Sequence, residues 1–356
     1  MKVLNVRNVN QALPIGIDYI LTHGIREESR AGAVLVAPEP VATVYSNPQE
    51  RVLFSEARNA NCFFHIFEAL WLLAGRNDAV WLDQFVHDFS SRFAETDGTL
   101  HGSYGYRWRH HFDVEGGGRP GLPDQLETVV ELLKKNPQDR QAVIQMWDPT
   151  ADLGAVVKDK PCNLSICLRV RQQQVLVPPD GGDWQEPVLD ITVFCRSNDL
   201  WWGVTGANVV QFSILQEYLA ARIGVGVGTY TQVSNNYHLY ENMMDPAKAV
   251  LKENPLCMGQ PYRRNYPADV TPIVTHPEAF DRDLDNFFKG GIDYVNPFFK
   301  NVAVPLYWAH RNWKRKNRKA ALALLEQIPD CDWRRAAEQW FLRRMAGMSS
   351  KSKESV

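Results

Sequence analysis

"DKPCNLSICLRVR", residues 159–171, places a cysteine at the mouth of an alternating strand, and the fold and the chemistry both turn on how it is read. Leu164, Ile166, Leu168 and Val170 fall on one face and Ser165, Cys167, Arg169 and Arg171 on the other, the period-two pattern of a half-buried strand. Cys162 stands just ahead of the apolar face, where a strand end can meet a pocket. Taken alone, a single cysteine there is a small buried hydrophobe more often than a nucleophile. The rest of the chain has to overturn that reading.

A chain of 356 residues, 45% of them hydrophobic, can bury a large core as one domain or two. Its 39 basic and 41 acidic residues create no global attraction for nucleic acid or membrane. The start "MKVLNVRNVN" is too polar for a signal peptide, and no apolar run is long enough to span a bilayer. Six cysteines without CxxC or Cys/His spacing indicate free thiols in a reducing cytoplasm and no metal site.

Residues 1–60 read as strands and loops, with "VATVYS" (41–46) the clearest strand. "NCFFHIFEALWLLAG" (61–75) predicts an apolar helix stopped at Gly75, and "PDQLETVVELLKKNP" (123–137) an amphipathic one. The strands "QAVIQMW" and "LSICLRV" follow, then "VPPDGGDWQEP" (177–187) as a turn-rich excursion into "VLDITVFCRS". "NVVQFSILQEYLAARIG" (208–224) predicts a buried helix and "TYTQVSNNYHLY" (229–240) one further strand. "GGGRPGLPD" (116–124) reads as a flexible loop. Strands and helices mix without regular βαβ alternation, so a layered α+β fold is expected. Two helices, "AVPLYWAHRNWKRKNRKAALALLEQ" and "WRRAAEQWFLRRM", read as an appended region at 301–348, with 349–356 a disordered tail.

Some polar residues sit oddly in these elements. Glu68 lies within an apolar helix near Phe64, Phe67, Trp71 and Leu72, where desolvation raises a carboxyl toward the range useful for proton transfer. Arg196 leaves the end of a strand whose apolar face is Leu189, Ile191, Val193 and Cys195, and an arginine beside a cysteine favours the thiolate. Asn208 opens a buried helix and, taken alone, reads more readily as its N-cap than as a site residue. His238 and Tyr240 share a strand face.

Together these stretches resemble the thymidylate synthase superfamily. "SRAGA" (29–33) is similar to its phosphate loop, "FEALWLLAGRND" (67–78) to its glutamate helix and "GSYGYRWR" (102–109) to its Tyr-Gly-x-x-Trp-Arg segment. "PQDRQAVIQMWDP" (137–149), "KPCN" (160–163), "RSNDLWWGVTGAN" (196–208) and "NNYHLY" (235–240) continue the family's order over roughly residues 25–245. The resemblance implies a mixed, mainly antiparallel sheet covered by helices, with residues 1–300 as the catalytic domain. It implies that the Cys162 thiolate adds to C6 of a pyrimidine, so that C5 can attack the one-carbon unit of 5,10-methylenetetrahydrofolate. Arg30, Arg140, Arg196 and Ser197 would bind the 5′-phosphate, Arg140 from the partner subunit of an obligate homodimer with shared sites. His238 and Tyr240 would hold the sugar, Asn208 the base edge, Asp199 and Trp71 the folate, while Glu68 and Tyr104 manage protons.

The departures narrow the reaction. Asn163 stands where a histidine usually follows the nucleophile, Gln141 where a second phosphate arginine is common, and Asn236 where an aspartate is usual. The Asp199–Asn208 interval is one residue longer than the family's. A helical region and polar tail replace the short apolar carboxy-terminus that closes a thymidylate synthase over folate. Hydride completion of the methyl group needs a water-free site. An open one admits water and favours a hydroxymethyl product, and Asn208 favours uracil over cytosine. The expected activity is therefore dUMP hydroxymethylation, with thymidylate synthesis or hydroxymethylation of dCMP or CMP as the alternatives. A non-catalytic nucleotide-binding protein is disfavoured by the joint presence of Cys162, Glu68 and Arg196. "RNWKRKNRK" (311–319), interleaved with Trp308 and Trp313, reads as a solvated basic helix face more readily than as a nucleic-acid footprint.

Overall fold

The computed structural model describes residues 1–112, 124–174, 184–253, 262 and 269–353. The turns expected at 116–123 and 177–183, and residues 354–356 of the expected tail, lie outside these.

Ten strands form among the described residues: β1 (Lys2–Val6), β2 (Ile25–Ser29), β3 (Gly32–Val36), β4 (Val41–Tyr45), β5 (Val143–Gln145), β6 (Asn163–Gln174), β7 (Gln185–Cys195), β8 (Asn198–Asp199), β9 (Gly226–Ser234) and β10 (Tyr237–Tyr240). The helices are α1 (Val9–His23), α2 (Cys62–Leu73), α3 (Phe89–Phe93), α4 (Tyr104–Arg109), α5 (Gln125–Lys135) and α6 (Pro149–Asp152), then α7 (Ala207–Ile223), α8 (Met244–Glu253), α9 (Phe280–Phe288), α10 (Val304–Lys314), α11 (Arg318–Glu326) and α12 (Asp332–Lys353).

The larger sheet has the order β1-β4-β9-β7-β6-β5, the smaller β2-β3-β10-β8. Pairing is mixed and mainly antiparallel: only β1/β4, β7/β9 and β8/β10 run parallel. The alternation read in β6 is realised, with Ile166, Leu168 and Val170 buried and Cys167 and Arg169 exposed. Between Asn163 and Ser165 the β6/β7 register shifts. Such a bulge re-aims side chains at a strand end, here directly after Cys162.

Helix α7 is buried from Asn208 to Ala220. It packs between the larger sheet and helices α2 and α5, so its polar residues face protein rather than bulk water. Gly105 lets α4 lie close on α2, since a Cβ there would stand 1.9 Å from the Leu72 carbonyl oxygen.

Several expectations need correcting. Residues 9–23 are a helix, not strand and loop: Val9, Leu13, Ile17 and Ile20 form its buried stripe, and Asn8 caps it by accepting from Gln11 N–H. Stretch 229–240 is two strands in different sheets, separated at Asn235–Asn236. The helix read over 303–327 is broken in two where Lys316 takes φ 65°. Helix α12 runs on to Lys353, into the stretch expected as a tail.

Helices α10 and α12 pack against the back of α2. The Phe63 ring centroid lies 4.9 Å from His310, 5.2 Å from Trp340 and 5.4 Å from Phe341, and Trp313 stacks on Phe341 at 4.4 Å. Phe341 is fully buried. Phe341→Ala should therefore cost about 3–5 kcal/mol in urea unfolding, as for other buried aromatics. A loss under about 1 kcal/mol would mean that α12 packs too loosely to brace α2.

Candidate active site

Four sequence-derived residues, Glu68, Trp71, Tyr104 and Asn208, line one open cavity of about 220 Å³. Helix α2 contributes Glu68 and Trp71, α4 begins with Tyr104, and Asn208 lies in the first turn of α7. Asn208 is not an N-cap: Gly206 occupies that position, and the Asn208 side chain donates from Nδ2 to Asn198 Oδ1 at 3.3 Å.

Glu68 accepts from Gln211 Nε2 at 2.7 Å. Burial pushes its carboxyl up to about 8, with Asp159 adding to the rise and the Gln211 hydrogen bond opposing it. Burial also holds the Tyr104 phenol well above its ordinary value, with Cys162 and Asp159 adding to the effect. Trp71 is buried and donates from Nε1 to Asp78 at 3.3 Å.

Cys162 is partly buried directly ahead of β6, beside the cavity and outside its lining, and bears electrostatically on the lining residue Tyr104. The Arg196 Nη2 group lies 3.8 Å from Sγ, Nε donates to Pro161 O at 3.0 Å, and the Arg196 backbone N–H donates to Cys162 O at 2.9 Å. Arg196 thus grips the backbone of the cysteine as well as facing its sulfur. Burial nevertheless pushes the Cys162 thiol above its ordinary value, outweighing Arg196 and Arg30. The expectation that the adjacent arginine favours the thiolate is correct in direction, but the net shift runs the other way. Activation of the thiol therefore calls for added positive potential or hydrogen-bond donation at the sulfur.

Arg30 is exposed beyond β2 and bears electrostatically on both Cys162 and Tyr240. Ser197 follows Arg196 and is half-buried. His238 and Tyr240 lie on β10 with ring centroids 5.3 Å apart, and His238 Nδ1 is 2.8 Å from Asn236 Oδ1. Burial lowers the His238 pKa, so the imidazole is neutral, and donation from Nδ1 to Asn236 leaves Nε2 as an acceptor. Asp199 caps the turn Leu200–Val204 through Trp202 N–H, and burial raises its carboxyl to about 6. Arg140, in the α5–β5 connection, is exposed, is not part of the cavity lining, and has no hydrogen bond or ion pair among the described residues.

Three residues at this site were missed. Gln211 sits one turn after Asn208, a spacing visible in "NVVQ". Asn198 fixes the Asn208 amide while donating to Ser234 Oγ at 3.2 Å. Asp159 lines the same cavity three positions before Cys162. Asn163 is fully buried, where its Oδ1 accepts from Cys195 Sγ–H. Among the described residues no group of His, Cys, Asp and Glu is placed to hold a metal ion, and no helix is long and apolar enough to cross a membrane.

Residues 16–262 match the sequence model of the thymidylate synthase family. The chain belongs to that family. It is accordingly an enzyme of the thymidylate synthase class, and family members use methylenetetrahydrofolate as one-carbon donor. A deoxyuridylate hydroxymethyltransferase of Pseudomonas phage M6 is 39% identical over 100% of this chain and 98% of its own length. A second deoxyuridylate hydroxymethyltransferase, from Bacillus phage SP01, is 34% identical over 69% of this chain and 58% of its own length. A thymidylate synthase of Symbiobacterium thermophilum is 29% identical over 64% of this chain and 72% of its own length.

The raised pKa of Glu68 has a stability signature. Between its ordinary 4.5 and about 8, the folded chain retains a proton that the unfolded chain has lost. The contribution of the neutral carboxyl is therefore full below the lower value and is lost as pH rises through the upper one. Glu68→Gln, neutral throughout, should match wild type below pH ~5 and exceed it by roughly 1–3 kcal/mol near pH 9 in denaturant unfolding. Parallel stability–pH curves would show that Glu68 titrates normally.

Proposed function

We propose that this chain transfers a one-carbon unit from 5,10-methylenetetrahydrofolate to C5 of dUMP and releases 5-hydroxymethyl-dUMP. The observation that carries the reading is the end-to-end match to the deoxyuridylate hydroxymethyltransferase of phage M6, which continues past residue 262 into the C-terminal helices. Cys162 adds to C6 and makes C5 enolate-like, and C5 then attacks the folate-borne carbon. Arg30, Arg196 and Ser197 hold the 5′-phosphate, and His238 and Tyr240 hold the sugar. Asn208 reads the base edge, while Glu68 and Tyr104 handle protons on the base. Asp199 and Trp71 face the folate. Among the described residues, those lining the cavity come from elements other than α10–α12, which supports completion by water rather than by hydride.

The working unit in this reading is a cytoplasmic homodimer. Arg140 has no partner among the described residues of its own chain, and the larger sheet presents an uncovered face on which Val143 lies opposite Cys167, with Phe194 nearby, all exposed. A second copy on that face would cover it and bring Arg140 to the neighbouring phosphate.

Incubation with dUMP and methylenetetrahydrofolate should give a product heavier by CH₂O, with tetrahydrofolate and without the absorbance rise of dihydrofolate. Cys162→Ser should lose tritium release from C5 by several orders of magnitude while still binding dUMP. Stoichiometric dihydrofolate and a methyl product would make the chain a thymidylate synthase instead.

Mixing Arg140→Ala with Cys162→Ser subunits should restore part of the activity, because one site of the heterodimer then carries both defects and the other neither. Persistent inactivity despite verified subunit exchange would place Arg140 outside a shared site.

A further inference from the structure

The hydroxymethylase reading leaves one step without a residue. A water molecule must be activated beside C5 after the folate has departed. At neutral pH most groups facing the cavity cannot accept its proton. Glu68, at about 8, already holds one. The Tyr104 phenol is kept neutral by burial, and Cys162 is bonded to C6 at this stage. Asn208 and Gln211 are amides, and Ser103 spends its hydroxyl on Arg76 O at 2.7 Å. His101, just behind the wall, is engaged with Asp152 at 2.8 Å.

Asp159 remains. One of its oxygens, Oδ2, accepts from Gly102 N–H at 3.1 Å, and the other has no hydrogen-bond partner among the described residues. Gly102 is required for this arrangement. A Cβ there would stand 2.9 Å from Asp159 Oδ2 and 2.7 Å from Pro161 N, so only a bare backbone lets the carboxylate and the nucleophile's own loop share that corner. On balance burial raises Asp159, with the Gly102 N–H, His101 and Arg107 restraining the rise and Glu95 adding slightly to it. Glu68, keeping its proton, relieves the like-charge conflict. Of the two carboxyls that line the cavity, Glu68 holds its proton, and Asp159, gripped by the Gly102 N–H beside the nucleophile's own loop, is placed to accept one.

We propose that Asp159 is the catalytic base that activates water for attack on the C5 methylene, an inference that rests on the hydroxymethylase reading. Once tetrahydrofolate has left, C5 bears an exocyclic methylene conjugated with the C4 carbonyl, and Cys162 is still bonded to C6. Asp159 takes a proton from water as the water oxygen bonds to the methylene carbon. The electron pair of the C5–methylene double bond moves into an enolate over C4 and C5. Collapse of the enolate restores the C4 carbonyl, forms the C5–C6 double bond and expels the Cys162 thiolate. The proton on Asp159 passes to that thiolate or to solvent, and nothing is oxidised or reduced.

The test compares two readouts on one sample: tritium released from C5-labelled dUMP, which counts methylene arrival, and 5-hydroxymethyl-dUMP by mass spectrometry, which counts hydration. In Asp159→Asn the ratio of product to tritium should fall about a hundredfold, as expected for loss of a general base. 2-Mercaptoethanol should then trap the stranded methylene as a thioether nucleotide. Asp159→Glu should recover part of the ratio, a response that a merely structural role would not give. If Asp159→Asn fails to fold, Asp159→Ser serves for the same ratio. An unchanged ratio, or a parallel fall of both readouts without thioether, would overturn the role of Asp159. Methyl product with dihydrofolate from the wild-type enzyme would instead overturn the hydroxymethylase reading, and this inference with it.

Discussion

A single buried ion pair holds the walls of the cavity together. Arg107 and Asp152 are both almost fully buried and meet through two hydrogen bonds of 2.7 and 2.8 Å. The same guanidinium donates to Met146 O at 2.8 Å and His101 O at 3.0 Å, while Asp152 also accepts from Asp148 N–H and contacts His101. One side chain therefore ties the loop carrying Gly102, Ser103 and Tyr104 to the end of β5 and to the turn that leads into Asp159 and Cys162. Removing one partner of such a pair leaves an uncompensated buried charge and costs about 3–5 kcal/mol. The reacting groups come from segments far apart in sequence, so their alignment depends on this clamp.

What the clamp encloses is a site in which burial sets every protonation state. It lifts Glu68, Tyr104 and Cys162 together, and only local donors oppose it. A thiol that burial makes hard to ionise restrains side reactions while the site is empty. The amide chain Ser234–Asn198–Asn208 has the complementary task. It fixes which way one amide faces, and amide orientation is what separates two bases that differ by exchange of donor and acceptor.

The fold was legible where pattern and burial coincide. The faces of β6 and β7 alternate because one side of each is buried, that of β7 against α7, and α2 is apolar nearly all round because it is enclosed on both sides. Helix α1 was hidden by Pro14 and Gly16, which read as loop punctuation. Its apolar stripe is nonetheless regular, and Gly16 leaves room for the Tyr237 hydroxyl, which would lie 2.4 Å from a Cβ. The division of 229–240 depends on which sheet offers free edges, a property of the assembled fold. In the site, Cys162, Glu68, Tyr104 and Asn208 were found because each is chemically out of place or sits in a recognisable segment. Asp159, Asn198 and Gln211 look ordinary in one dimension. Their importance comes from neighbours 10 to 143 residues away in the chain.

The two sides of α2 do different work. One turns Glu68 toward the cavity; the other is caged by His310, Trp340 and Phe341. Acidity on the first side exists only while water is kept from the helix, and the cage on the second side contributes to keeping it out. Loosening that cage admits solvent, and the carboxyl relaxes toward an ordinary glutamate. A packing lesion more than a helix diameter from the substrate would then register first as a drift in a titration curve, with the fold still intact.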